Sequence, residues 1–475
     1  RAGYLSPSDP AVSPYNLWSI RLLRGLTTLF LTISFVWWIF LLVTIFINPP
    51  MVYTRGSGFL GFSYATLTVG YLTTALLFFT IPSRPMTICG IILVIFLLAD
   101  MCIVLAVARI RVEEGWVGIA SIVWATFISL YGIIRNASVA WAKREEEERL
   151  TGRAEASRST KEWLAVVAQG AIMTILAIVT VLLTANLVLR AGDASLPPPG
   201  KKYYAIGESY QVHLACVGNS TSSPTVLIEA GESPTEHTLL PFIQNTSIPR
   251  YCYWDRPGIA WSDNAPSPYS AGMAADALSE ALTSANEPGP FVLLAAGIGG
   301  IYARVFASRN LPDLHSIFLI DAVHEEYLPD IGSARRGFGL WLRGVVSPLG
   351  VDRLFGAIFK GRSREDRVFG ISASQSDKFL KAKLQESLAA SSITASDIKT
   401  ARRVLNRDIP LVVVSSGAEI DKSRRWAGAQ KDLTGITRNL KAWDVVHGAP
   451  HEVWRSAEGQ RVLQERLEEV VGFSV

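Results

Sequence analysis

Charged residues are scarce in this 475-residue chain: Asp, Glu, Lys and Arg make up 18% of it against 49% hydrophobic residues, for a mean hydropathy of +0.28. A soluble globular domain carries about 25% charged residues. Part of the chain therefore belongs in lipid, and intrinsic disorder and collagen-like repeats are excluded. Charge of one sign is equally scarce. Basic side chains number 45 against 41 acidic ones, and the resulting +4 is too thin a surplus to make nucleic acid a partner. Four cysteines are too few for a disulfide scaffold of this length, although they leave room for one bridge in a part lying outside the cytosol. No histidine occurs before residue 200, so any imidazole chemistry belongs to the second half. The Pro- and Ser-rich start lacks the basic head, apolar core and small-residue cleavage site of a signal peptide, and residues 1–24 read as a polar N-terminal segment.

What the chain does have is five long apolar runs, at 25–48, 59–81, 87–109, 115–134 and 164–189. At 1.5 Å per helical residue each is about the length that crosses ~30 Å of hydrocarbon. Residues 25–190 are expected to form an all-α bundle of five spans, with the lipid bilayer as its partner. Trp37, Trp38, Tyr53, Trp116 and Trp124 suit core or interfacial positions. Short connections on one side hold eleven Lys and Arg (Arg1, Arg21, Arg24, Arg84, Arg135, Lys143, Arg144, Arg149, Arg153, Arg158, Lys161). The other side holds six (Arg55, Arg109, Arg111, Arg190, Lys201, Lys202). The positive-inside rule then puts the N-terminus in the cytoplasm and everything after the fifth span in the lumen or outside the cell. A mitochondrial membrane stays open as an alternative. Residues 135–163 read as a cytoplasmic charged helix with Lys143–Glu147, Arg144–Glu148 and Glu145–Arg149 spaced i,i+4. Asp100, deep in the third span, is a functional candidate because a lone carboxylate in lipid costs at least ~2.5–3.5 kcal/mol.

Two acceptor sequences for N-glycosylation, at Asn219 and Asn245, fall in the second half, where the secretory pathway would use them. A third match, at Asn136, abuts a span on the cytoplasmic side and is set aside. Cys216 and Cys252 lie in strand-like runs and would bridge if those strands are neighbours. A stiff linker, 191–202, carries Pro197-Pro198-Pro199-Gly200. Beyond it strand-like runs (211–216, 225–229, 251–254, 291–295, 316–320, 410–415, 441–446) alternate with helical ones, which is the pattern of a mostly parallel sheet. The run Phe291–Arg304 reads as a buried strand, a Gly-rich turn and a helix. A dinucleotide-binding turn would need glycine where Tyr302 stands, so the better match is a nucleophile elbow.

Several blocks in order make the resemblance specific. Tyr253-Trp-Asp-Arg-Pro-Gly-Ile-Ala-Trp-Ser-Asp263, Glu287-Pro-Gly-Pro290, Tyr302-Ala-Arg304 and Leu319-Ile-Asp-Ala-Val-His-Glu325 resemble one branch of the α/β-hydrolase superfamily, over about 203–473. The resemblance implies an α/β-hydrolase fold across 203–475, with a helical cap at about 330–405. It also implies adjacent second and fourth strands, which would pair Cys216 with Cys252. In that branch the elbow reads Gly-His-Ser-x-Gly-Gly, with the serine as nucleophile. Aligned here, the serine falls on Gly297 and the preceding histidine on Ala296. His451 takes the place of the general base. Asp321, Glu419 and Asp421 are the candidate acids, and Gly231 with Ile298 the oxyanion-type turn. Ser262, Ser415 and Ser416 are poor substitutes for the nucleophile. His447 and His451 are separated by Gly448 and Pro450, so no metal site is expected, and no cofactor.

The expected function is that of a membrane-anchored, catalytically degenerate hydrolase fold. It would bind a small apolar ligand under the cap, or serve as a subunit or scaffold among other membrane-protein subunits. One alternative is a serine-type hydrolase of lipid-like esters or amides with a non-standard nucleophile. The other is an accessory subunit of a channel or transporter, for which Asp100 would have to line a wet cavity or meet a partner chain.

Overall fold

The computed structural model describes residues 14–49, 52, 54–152, 159–201, 203–207, 209–219, 224–405 and 408–472. Arg1, Tyr53, Arg153, Arg158, Lys202 and the Ser220-Thr221 end of the first glycosylation sequence lie outside the described residues. The chain divides into two compact units. One holds the residues up to Thr54 together with Gly58–Ala194 and Val345–Leu354; the other holds Arg55–Ser57, Ser195–Gly344 and the chain from Phe355 onward.

Five apolar helices build the first unit: α1 (Trp18–Phe46), α2 (Phe59–Leu77), α3 (Arg84–Ala106), α4 (Ala108–Thr151) and α5 (Thr160–Asp193). Ser83 caps α3 by accepting from Met86 N–H, with Pro85 in the first turn where its missing donor costs nothing. Ser159 and Glu162 form a capping box at the start of α5. Two expectations change here. The first helix already begins at Trp18, taking Arg21 and Arg24 into its first turns. The fourth span and the charged run as far as Thr151 are one element, because no glycine or proline interrupts the chain between Gly132 and Gly152, whereas residues 160–163 of the expected charged helix belong to α5. Of the expected i,i+4 pairs Lys143–Glu147 forms at 3.8 Å, whereas Arg149 meets Glu146 at 3.2 Å. Polar links cross the apolar interior: Ser83 donates to Gln169 at 2.7 Å and Trp124 Nε1 to Ser34 at 2.9 Å. Asn136 is buried and donates to Thr87 at 2.9 Å.

An eight-stranded sheet organises the second unit. Its strands are β1 (Tyr203–Ile206), β2 (Tyr210–Gly218), β3 (Thr225–Glu229), β4 (Arg250–Trp254), β5 (Phe291–Ala296), β6 (Leu314–Ile320), β7 (Pro410–Ser416) and β8 (Asn439–Val446). They lie in the order β1-β2-β4-β3-β5-β6-β7-β8, antiparallel through β4 and parallel thereafter. This is the α/β-hydrolase sheet. The central strands are buried along their whole length and accordingly read as unbroken apolar runs. Strand β1 has no counterpart among the sequence expectations, since four residues after a proline-rich linker give no measurable alternation. Between β6 and β7 the cap is a set of helices, among them Ala334–Val346, Val351–Phe359 and Asp377–Ala389. Its tip, Val345–Leu354, belongs to the membrane unit instead of the C-terminal one, which the expected boundaries of 330–405 did not anticipate.

Cys216 stands opposite Cys252 in the antiparallel β2–β4 register, with a Cα–Cα distance of 4.0 Å, and the two are bridged. Closing a loop of 36 residues removes denatured-state entropy. Cys252→Ser should therefore lower the stability of the C-terminal unit by about 2–4 kcal/mol, read as an earlier thermal unfolding step. Reducing agent should shift the parent protein to the same extent and leave the variant unchanged.

Candidate functional site

At the end of β5 the chain turns sharply through Gly297, at φ +49°, into the helix Gly299–Arg309. Gly297 N–H donates to Ile320 O at 3.1 Å, and its carbonyl accepts from Val323 N–H at 2.8 Å. The glycines that follow are required by close approach: a Cβ on Gly299 would lie 2.5 Å from Ala230 O, and one on Gly300 2.5 Å from the Ala322 Cβ. Gly297 differs. A Cβ there would sit 3.2 Å from His451 Nε2 and 3.7 Å from Gly231 Cα, so its direction points at the imidazole.

His451 reaches this point from the loop after β8. Its Nδ1 bonds to Asp321 Oδ2 at 2.6 Å. Asp321 follows β6 at φ +40° and is fully buried. Its other oxygen accepts from Ser416 N–H at 3.0 Å and Trp426 Nε1 at 2.9 Å. Three donors thus hold one carboxylate, and with Nδ1–H committed to it, Nε2 is left as the acceptor facing Gly297. Burial disfavours the imidazolium, but the bond and charge of Asp321, with Glu232 and Glu419 adding at longer range, outweigh it and raise the His451 pKa above its usual value. Among the described residues Asp321 is the hydrogen-bond partner of the His451 imidazole.

The other candidates fall elsewhere. Glu419 pairs with Lys422 at 2.7 Å in the helix after β7, and Asp421 is exposed on the same helix. Ser262 donates to Asp255 O at 2.6 Å, Ser415 to Gln430 at 3.1 Å and Ser416 to Ala449 O at 2.7 Å, so none of these hydroxyls serves His451. Gly231 lies against the elbow, with its Cβ direction 3.1 Å from Ala296 O, and Ile298 opens the helix after it. Sequence reasoning assigned no role to what holds the Gly231 turn in place. Arg256, buried, donates to Glu229 Oε1 at 2.5 Å, Ala230 O at 2.7 Å and Gly231 O at 2.6 Å, while its guanidinium stacks on Tyr302 at 4.4 Å. Trp254 Nε1 holds the other Glu229 oxygen at 2.6 Å. Cap residue Lys383 reaches Glu232 at 3.0 Å and Glu386 at 3.2 Å. The Tyr-Trp-Asp-Arg run and Tyr302 carried the signal, since an arginine in a buried strand end needs a paired acid.

Outside this site, Asn219 and Asn245 are exposed at the ends of β2 and of the short helix before β4. In the membrane unit Asp100 is buried and accepts from Tyr64 on α2 at 2.7 Å, so it bonds to a neighbouring helix.

Replacing Asp321 with Asn removes the charge that raises His451. The His451 pKa should fall below that of the parent protein, followed by histidine NMR titration. A value unchanged from the parent would mean that this bond is not what sets it.

The chain's residues 1–216 match a family described as "Region of unknown function (DUF2417)". It is 34% identical to an uncharacterized protein of Schizosaccharomyces pombe, over 97% of this chain and 92% of that protein. It is also 26% identical to an uncharacterized vacuolar membrane protein of Saccharomyces cerevisiae, over 66% of this chain and 58% of the relative. Among solved structures it is similar to Cfl2 from Burkholderia cenocepacia (16% identity, 56% of this chain and 94% of that one, TM-score 0.43). A second is an α/β-hydrolase enzyme from a Medee basin deep-sea metagenome library (13% identity, 58% and 98%, TM-score 0.43).

Proposed function

We propose, for a chain that belongs to the same family as the fission-yeast protein, that its C-terminal unit is an α/β-hydrolase fold that has lost nucleophilic catalysis and now works by binding. Its occupant is a small apolar ligand under the cap, or another subunit of a membrane assembly. The observation that carries this reading is the missing side chain at the elbow: the acceptor nitrogen of His451 faces a backbone position with no hydroxyl, thiol or carboxylate to deprotonate. In a serine hydrolase the loss of the attacking serine costs ~10⁶ in turnover. We place the N-terminus in the cytoplasm and this unit in a lumen continuous with the secretory pathway. The count of basic residues, the bridged Cys216–Cys252 pair and the exposed Asn219 and Asn245 support that placement. The budding-yeast relative makes a vacuole-type membrane the first place to look.

The same geometry supplies the test. Since a Cβ at Gly297 would point at His451, Gly297→Ser should regain a nucleophile in place, and the variant should react with a fluorophosphonate probe that leaves the parent unlabelled. The base works only when neutral, and the His451 pKa is raised. Labelling should therefore increase as pH rises through a midpoint above the ordinary histidine value, and adding His451→Ala should abolish it. Labelling of the parent protein in this cleft, lost in His451→Ala, would overturn the reading.

The intact His451–Asp321 pair favours one second reading, a hydrolase in which the imidazole activates a water molecule lying where the serine side chain would be. Parent turnover of a short-ester panel, lost in His451→Ala without probe labelling, is its signature.

A further inference from the structure

The cap carries an apolar surface that its own fold leaves open. Phe338 and Leu342 with Val346 recur at i, i+4 and i+8 on the helix Ala334–Val346, and Phe355, Ile358 and Phe359 share one face of the helix Val351–Phe359. All six are between 47% and 71% exposed. Apolar residues at helical spacing on an outward face have no role in a water-soluble cap. The polar residues of this stretch are almost all of one sign. From Ala334 to Arg364 there are six arginines and one lysine against a single acid, Asp352.

The tip between the two helices fixes where that surface lies along the chain. Ser347–Gly350 is seated on the last turns of α5: Asn186 Nδ2 donates to Pro348 O at 2.9 Å and Leu349 packs on the bundle core. Arg353 donates to Asn186 Oδ1 at 3.1 Å and to Asp193 at 3.2 Å. Gly350, at φ +63°, lies so close that a Cβ would be 2.5 Å from the Asn186 Cγ, so the contact needs glycine. The outward apolar residues of α5, Ile178, Val181 and Val188, run up to these same turns. The tip is therefore held where a spanning helix leaves the hydrocarbon, and the surface that continues from it is apolar with a basic border.

We propose that the hairpin Ala334–Phe359 is a lipid-interface element: its phenylalanines and aliphatic side chains enter the headgroup and upper acyl region of the bilayer, and the exposed Arg335 and Arg343 hold anionic phospholipid headgroups. Apolar insertion plus basic attraction to anionic lipid is how an amphipathic helix rests in a membrane surface. A second protein would have to supply an apolar groove lined with acids. The bilayer supplies both features and is continuous with the outer face of α5. The inference rests on the membrane reading of the five helices and is independent of whether the elbow is catalytic.

The test uses the full chain, with Cys89 and Cys102 replaced by Ala, in liposomes of phosphatidylcholine with and without phosphatidylserine. An environment-sensitive fluorophore is placed at Phe359→Cys, at Phe338→Cys or, as an exposed control on the charged C-terminal helix, at Glu465→Cys. At the two hairpin positions a nitroxide carried on the acyl chain should remove most of the emission and aqueous iodide almost none, with the control showing the reverse. Quenching by the lipid nitroxide should be stronger when phosphatidylserine is present. Adding Phe355→Asp and Ile358→Asp, at exposed positions, should abolish lipid quenching at Phe338→Cys while the Cys216–Cys252 bridge still forms. Iodide access equal to the control, or protection from both quenchers as under a docked protein, would overturn the proposal.

Discussion

The buried carboxylate of Asp321 is the constraint on which the C-terminal site depends. It takes bonds from three elements: the backbone at the end of β7, Trp426 in the helix region after it, and the His451 imidazole from the loop after β8. A carboxylate without these donors would be too costly to bury beside the sheet. With them, the ends of β6, β7 and β8 are tied to one point. The imidazole cannot rotate without breaking a 2.6 Å bond, so Nε2 is aimed at the elbow whether or not anything there reacts. This is why the geometry of a catalytic pair can persist beside a glycine: the pair also does structural work.

Arg256 plays the corresponding part on the other side of the elbow. Its guanidinium spans the Glu229 carboxylate and two consecutive carbonyls of the Gly231 turn, with Tyr302 against its face. Each removes an unpaired polar group from the interior, and together they set how closely Gly231 can approach Ala296 and Gly297. The elbow is thus bordered by two polar networks, and Lys383 with Glu232 and Glu386 extends the second of them into the cap.

How much of this was legible in the sequence follows from the physical origin of each signal. The central strands declared themselves because burial on both faces makes them unbroken apolar runs, and β3 (Thr225–Glu229) carries the boundaries that pattern implies. The ordered motifs led to the elbow, to His451 and to Asp321 as one of three acids. The choice among those acids was not legible, because it turns on the direction of side chains at the ends of different strands, and spacing along the chain does not encode it. Trp426 as a donor to Asp321 has no local signature at all. In the membrane part, hydropathy marked five spans, and the fourth runs on into the charged residues as one helix. A window that averages apolarity stops at the last lipid-facing turn, whereas the hydrogen-bonded helix continues as long as its residues are good helix formers, here through the Lys143–Arg149 run to Thr151.

The cap is where periodicity and position give different answers, and the difference is informative. Read as a segment between β6 and β7, it belongs to the hydrolase fold; read by its contacts, its tip belongs with α5. A loop can serve two masters only if its junctions are unstrained, and here Gly350 at the tip and Pro348 before it shape a turn that no side chain at position 350 would permit. The apolar faces of the two flanking helices then have a consistent explanation: amphipathicity directed outward is a cost to any element surrounded by water, and it is retained only where the surroundings are themselves apolar. The anchoring of the tip and the direction of those faces are separate observations, one of packing and one of composition, and a bilayer surface satisfies both.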